Sequence, residues 1–297
     1  MLGMRMNWQR WTMVLPALIF FVVFALVPMC VAVYYSGLNW DGISEPVWVG
    51  LKNWIAVFKD GEAWQSTLLT IELMGLCWIT QCPLSLLLGV FMSGKQKHRA
   101  VFGVFYFIPL LFSAAAIGVT WSYILNPNFG LVNAILKAIG IGNGNENWLG
   151  NPHLALLIVS LIIAWQFIPF SSLLFQGGAK QIPESLYEAA RIDGAGPFRI
   201  FFSITLPQLK YTIVTASILI LTGTLTYFDL IYVLTGGGPG SATQVLAMDM
   251  YKQAFINTNL GMGSVMAIIL AVFGLVLSLL ILKFTGFNRM DSQKEGM

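Results

Sequence analysis

The residues that could do chemistry in this chain are few, and their spacing excludes most reactions. Gly89-Val90-Phe91-Met92-Ser93-Gly94-Lys95 fits the G-x-x-x-x-G-K pattern of a phosphate-cradling loop. Such a loop needs a strand before it and a Ser or Thr hydroxyl after it to hold magnesium. Here Gln96 follows and a long apolar run precedes, so no nucleotide site is expected. The histidines, His98 and His153, fall on opposite sides of the membrane in the topology derived below and cannot form a dyad. Cys30, Cys77 and Cys82 all sit in apolar runs, where thiols behave as small hydrophobes, so neither a disulfide framework nor a metal site is expected. No C-x-x-C, H-E-x-x-H or G-x-S-x-G occurs. The chain is expected to catalyse no covalent chemistry and to hold no metal or cofactor.

A second kind of chemistry, docking, is suggested by residues 177–210, the most charged connection in the chain. Pro183 suits a first helical turn, where its missing N–H costs nothing. Glu184 lies near the positive end of that helix and Glu188 one turn later. Leu186, Ala189 and Ala190 form a compact small-residue face, and Asp193-Gly194 ends the helix because glycine adopts the left-handed cap. A second helical piece is expected from about Pro197 to Leu206, closed by Pro207. A short helix with small apolar residues and an exposed acid is shaped for a groove on another protein. It also fits an ordinary amphipathic connector.

Polar groups inside apolar runs are the third candidate set. Glu72 lies about eight residues from the outer end of its run, roughly 12 Å deep at 1.5 Å per residue. A membrane acid is expensive and is usually functional or paired, so Glu72 is either hydrogen-bonded between helices or lines a solute path. Residues 211–229 carry Thr212, Thr215, Ser217, Thr222, Thr224 and Thr226, then Tyr227 and Asp229. Ser and Thr serve helix packing in bilayers. Alternatively, Thr222, Thr226 and Asp229 turn toward a solute path, together with Gln166 and Ser171-Ser172.

The elements that position these residues follow from composition. The 297 residues are 57% hydrophobic and only 10% charged, with a mean hydropathy of +0.75. A soluble chain carries about 25% charged residues, so a cytosolic enzyme and a disordered chain are excluded. A net charge of +3 gives no reason to expect a nucleic-acid partner. Charge-free stretches of bilayer-crossing length, about 20 residues, place six helices near 13–35, 64–92, 101–124, 154–176, 211–234 and 262–284. The first is too long for a signal h-region and is read as uncleaved. Of the 16 Lys and Arg residues, twelve fall on the side of the N-terminus and four (Lys52, Lys59, Lys137, Lys252) on the other. By the positive-inside rule both termini are cytoplasmic. No internal repeat or soluble domain is visible, so residues 1–297 form one all-α, six-helix membrane domain.

Glu188-Ala189-Ala190, Asp193-Gly194-Ala195, Ile204 and Leu206-Pro207 resemble the E-A-A-x-x-D-G-A…I-x-L-P signature of permease subunits of bacterial binding-protein-dependent ABC importers. Val49-Gly50-Leu51-Lys52-Asn53-Trp54, Pro127 to Asn133 and Phe228 to Pro239 resemble segments of the carbohydrate-uptake branch, in particular its maltose-permease-like first subunit. The likeness runs from about residue 14 to 284; one departure is Ser66 before Thr67, where relatives often have Asn.

The resemblance implies a coupling helix between spans four and five, with Glu188, Ala189, Ala190, Asp193, Gly194 and Ala195 meeting the ATPase. It implies two ATPase subunits that hold the ATP and magnesium, a second permease and an extracytoplasmic solute-binding protein. The bacterial cytoplasmic membrane is the implied location. The implied solute is a sugar, an oligosaccharide first, with glycerol phosphate or a polyol as alternatives. A self-sufficient secondary transporter is the rival reading; it would show two repeated halves and broken midplane helices, neither visible in the sequence.

Overall fold

The computed structural model describes residues 8–94, 96–141 and 143–285. Arg5, Lys95, Arg289 and Lys294 of the charge count lie outside them, as do the side chains of Arg10, Lys97 and His98. The described residues pack as two compact units, one of residues up to Trp64 with Asp249–Val272, the other of Gln65–Met248 with Phe273 onward.

The first unit opens with the span α1 (Val14–Ser36), whose apolar stretch is nowhere buried by the rest of the chain. A π-turn at Val22–Leu26 precedes Pro28, whose missing N–H unsettles the ladder at that point. Strands β1 (Leu38–Asn39) and β2 (Val47–Trp48) form a short antiparallel hairpin with Leu38 opposite Trp48. In its turn Asp41 accepts bonds from the Ile43 and Ser44 amides and the Ser44 hydroxyl, which hold its carboxyl at about 2. Helix α2 (Lys52–Lys59) follows. Asn53 Nδ2 donates to the carbonyls of Ser36 and Leu38 at 2.9 and 2.7 Å, which seats α2 on the end of α1.

Helix α3 (Gly61–Met92), 32 residues long, is the second span and carries into the other unit. The third span departs from the single helix expected over 101–124. It is split into α4 (Lys97–Tyr106), a 3-10 turn at Ile108–Leu111, and α5 (Ala114–Ile124). Pro109 cannot donate to the ladder, and Ser113 restarts it by accepting from the Ala116 amide at 3.2 Å; such a side-chain cap satisfies a first-turn donor. Helix α6 (Leu131–Ala138) follows, and α7 (Ala155–Lys180) is the fourth span.

Beyond α8 (Glu184–Ile192), α9 (Pro197–Gln208) bends by 68° into α10 (Lys210–Thr224). Pro207 does not close the piece at Leu206: it lies in the first turn of Leu206–Gln208, after a π-turn at Phe201–Thr205 that absorbs its missing N–H. The fifth span also departs from expectation. It stops at Thr224, and a new helix, α11 (Asp229–Leu234), starts at Asp229. Thr222 and Thr224 bond back to the carbonyls of Ile218 and Ile220, a habit that bends helices, and Gly223 between them stiffens nothing. Helices α12 (Leu246–Tyr251) and α13 (Leu260–Thr285) complete the chain. Among the described residues four single helices are long and apolar enough to cross a bilayer, and the bent α9–α10 pair makes a fifth; residues 97–124 are the broken remainder.

In the second unit α3 and α7 pack at glycine distance. A Cβ on Gly89 would lie 2.5 Å from Phe175 Cβ and 2.6 Å from the Ser172 carbonyl oxygen. Gln81 Nε2 donates to Ser171 Oγ at 3.0 Å, and Gln176 Nε2 to the Met92 carbonyl at 2.9 Å. Trp78 Nε1 donates to Ser217 Oγ at 2.9 Å, which ties α3 to α10. Gly89, the first glycine of the phosphate-loop lookalike, is thus a packing residue. Gly89→Val should destabilise the protein by about 1–3 kcal/mol, the cost of overpacking, and lower the detergent melting temperature; a melt equal to wild type would show that α3 and α7 do not meet there.

Candidate functional site

Helix α8 buries none of its residues. Leu186, Glu188, Ala189, Arg191 and Ile192 are all exposed, Ile192 to 86%. Its start follows Pro183, which is the cap residue rather than a first-turn residue, so Glu184 opens the helix. Its end is a full Schellman closure: Gly194 N donates to Arg191 O at 3.1 Å and Ala195 N to Ala190 O at 2.9 Å. Gly194 takes φ +75°, and nothing lies within 4 Å of the Cβ it lacks. A side-chain tether ties the helix to α9, Tyr187 Oη against Thr205 Oγ1 at 3.2 Å. The small face of Ala189 and Ala190, the acid of Glu188 and the turn at Asp193-Gly194-Ala195 therefore form one exposed, well-terminated projection.

The second site is a cavity of about 280 Å³ in the second unit, lined among others by Gln166, Phe167, Thr226, Tyr227 and Asp229. It exists because the fifth span breaks at residues 225–228, so the start of α11 faces the middle of α7. Gln166, nearly buried, is held by a bond from Nε2 to the Phe112 carbonyl at 3.3 Å. The Phe167 and Tyr227 rings stand 5.2 Å apart at 31°. Asp229 Oδ1 accepts from the Leu230 amide at 2.9 Å, and Thr226 Oγ1 donates to Gly223 O at 2.8 Å. The carboxylate and the amide are acceptors and donors for hydroxyl groups, with two aromatic faces beside them.

Of the expected solute-path residues, Gln166, Thr226 and Asp229 come together here. Thr222 does not line the cavity, and its hydroxyl is bonded to Ile218 O at 2.6 Å. Ser171 and Ser172 serve packing and local bonds. Glu72 is neither packed between helices of this chain nor on the cavity; it lies on an exposed face of α3, and α3 begins at Gly61, which puts it eleven residues into the helix. Phe167 is the wall that sequence reasoning missed: one Phe in a Phe-rich span carries no signal until its partner Tyr227 is placed.

The family of binding-protein-dependent transport system inner membrane components matches residues 81–284. The chain belongs to this family. It is a permease subunit of an ABC importer, a multi-pass membrane protein. The trehalose/maltose transport system permease protein MalF of Thermococcus litoralis is 36% identical over 282 residues, covering 93% of each chain. The probable ABC transporter permease protein YurN of Bacillus subtilis is 35% identical over 272 residues, covering 91% of this chain and 93% of its own. In fold, the permease matches a chain of a bacterial ABC transporter involved in the import of the acidic polysaccharide alginate, with a TM-score of 0.81, 23% identity, and coverage of 96% and 97% of the two chains.

At Gly194 the permease meets φ strain but no steric block, so substitutions should rank by tolerance of the left-handed region. Melting temperatures of the purified protein should fall in the order Gly194, Gly194→Asn, Gly194→Ala, Gly194→Val, with the alanine variant losing about 1–2 kcal/mol. Equal melts for wild type and the valine variant would mean that α8 does not end in this turn.

Proposed function

We propose that this permease forms half of a translocation pathway for a neutral sugar, an oligosaccharide first. In this reading an extracytoplasmic solute-binding protein delivers the solute, a second permease supplies the other half, and two ATPase subunits drive the cycle. The observation that carries the reading is α8. A helix that buries none of its residues and ends in a hydrogen-bonded glycine turn keeps its face free, and it suits a cleft in a partner. Glu188 pairs with a basic residue of the ATPase, Ala189 and Ala190 allow close approach, and Asp193-Gly194-Ala195 aims the helix.

Closure of the ATPase pair around ATP and magnesium pushes α8, and Tyr187–Thr205 passes the push to α9 and on to the bent α10. Break and cavity at 225–229 lie at the far end of α10, where a moving helix changes access to the solute. The permease hydrolyses no ATP itself. With twelve of sixteen basic residues on one side, both termini and α8 are cytoplasmic.

Two features favour a sugar. The cavity offers an amide, a carboxylate, a hydroxyl and aromatic faces, and no Lys or Arg is among its lining residues. Its one formal charge is the acid Asp229, which repels a phosphate in a low-dielectric passage unless protonated. The MalF relative carries trehalose and maltose in its name. Glycerol phosphate and polyols remain the alternatives.

The test is uptake in cells carrying the complete transport system. Labelled oligosaccharide should enter and labelled glycerol phosphate should not; the reverse result overturns the sugar assignment. Separately, Glu188→Lys should abolish both uptake and solute-stimulated ATP hydrolysis while the permease stays in the membrane at wild-type level. Wild-type transport by that variant would remove α8 as the coupling element.

A further inference from the structure

Two short helices outside the spans, α2 and α6, are inside out by the standard of a water-facing helix. Along α2, counted from its cap residue Leu51, the apolar residues Leu51, Ile55 and Phe58 recur at i, i+4 and i+7, and each is more than half exposed. Asn53, on the opposite face, is buried. Along α6 and its C-terminal cap residue Ile139, Leu131, Ile135 and Ile139 recur at i, i+4 and i+8, again each more than half exposed, and Asn133 on the opposite face is buried. Both helices open on the same short sequence, Gly50-Leu51-Lys52-Asn53 and Gly130-Leu131-Val132-Asn133.

The shared residues do the same work twice. Asn53 Nδ2 donates to two carbonyls, those of Ser36 and Leu38. Asn133 Nδ2 donates to Glu146 O at 2.9 Å and Pro127 O at 3.3 Å, and its Oδ1 accepts from Trp148 Nε1 at 2.8 Å. A buried amide is retained only when its bonds are made, so each asparagine fixes the roll of its helix and drives the apolar stripe outward. The glycines are required for different local reasons: Gly50 takes φ +62°, and a Cβ on Gly130 would stand 2.4 Å from the Asn126 carbonyl oxygen.

We propose that α2 and α6 each lie flat in the head-group region of the outer leaflet, stripe down into the acyl boundary, and that the Gly-Leu-x-Asn opening is the device that sets this roll. Depth favours lipid as the cover. The acceptors of Asn53 are the last residue of the span α1 and a residue two beyond it, so α2 rests at the level where a span leaves the hydrocarbon. Helix α6 begins seven residues after α5 ends, with Gly130 N folded back on Asn126 O at 2.9 Å. The span ends next to these helices in sequence also carry exposed aromatic pairs: the Tyr34 and Trp48 rings are 5.9 Å apart, and Tyr123 and Phe129 are 6.2 Å apart. Such rings concentrate at membrane interfaces. Lys52 and Lys59, both exposed, flank the α2 stripe by about a quarter turn at 100° per residue. From there their stems can run along the helix while the ammonium groups reach lipid phosphates. The α6 stripe is wholly aliphatic and lacks the Trp, Tyr or Arg anchors that dominate protein interfaces.

The inference rests on the membrane placement of the permease and not on its solute. The test uses the complete transporter, with all its subunits, in proteoliposomes. Spin labels are placed by Ile55→Cys and Ile135→Cys in a Cys30→Ser background, with Asn145→Cys as an exposed polar reference; Leu51→Cys and Leu131→Cys are second positions on each stripe. Oxygen should relax the stripe labels more than a water-soluble nickel chelate does, and the chelate should win at residue 145. If the chelate relaxes the stripe labels as well as the reference, the helices face water and the proposal fails. If the labels are shielded from both reagents, whether in the resting complex or only after the solute-binding protein is added, a protein covers the stripe and the proposal fails for that helix.

Discussion

A backbone N–H or C=O in hydrocarbon has no water to bond, so every departure from helix within a span must bring its own partner. The permease obeys this at each of its breaks. Ser113 caps the restart of the third span after Pro109, and Asp229 takes the Leu230 amide where the fifth restarts. Pro28 and Pro207, which remove donors, are each preceded by a π-turn that re-spaces the ladder. The breaks are therefore built features, and the cavity beside Gln166 and Asp229 is the space that one of them creates.

The same scarcity of water explains how the spans are held together. Apolar burial gives no preference between a helix and a lipid tail, so close van der Waals approach and hydrogen bonds must supply it. Helices α3 and α7 use both: Gly89 lets the backbones meet, and Gln81 and Gln176 bond across at either side of it. Unlike those residues, Glu72 lies on an exposed face of α3.

Helix α8 is the converse case. It contributes nothing to a core, yet its end is fully hydrogen-bonded and its side is tied to α9 through Tyr187 and Thr205. The coupling role proposed for α8 rests on that combination of an exposed face and a hydrogen-bonded end.

The class of protein, the long spans and the projecting helix were legible in the residues themselves. Charge-free runs have only one economical fate, and Glu188-Ala189-Ala190 with Asp193-Gly194 names its helix and its stop, because both signals act within a few residues. Pro109 in residues 101–124 and the threonines in residues 211–234 did not announce that the spans would break. An isolated Pro or Thr is tolerated in a membrane helix when a neighbour can take up the freed groups, and which neighbour is present depends on packing. Tertiary structure alone decided that Gln166, Thr226 and Asp229 share a cavity while Thr222 and Glu72 do not. Residues 60 positions apart meet only when two helices cross at a particular rotation, and rotation is set by contacts that composition and periodicity do not encode.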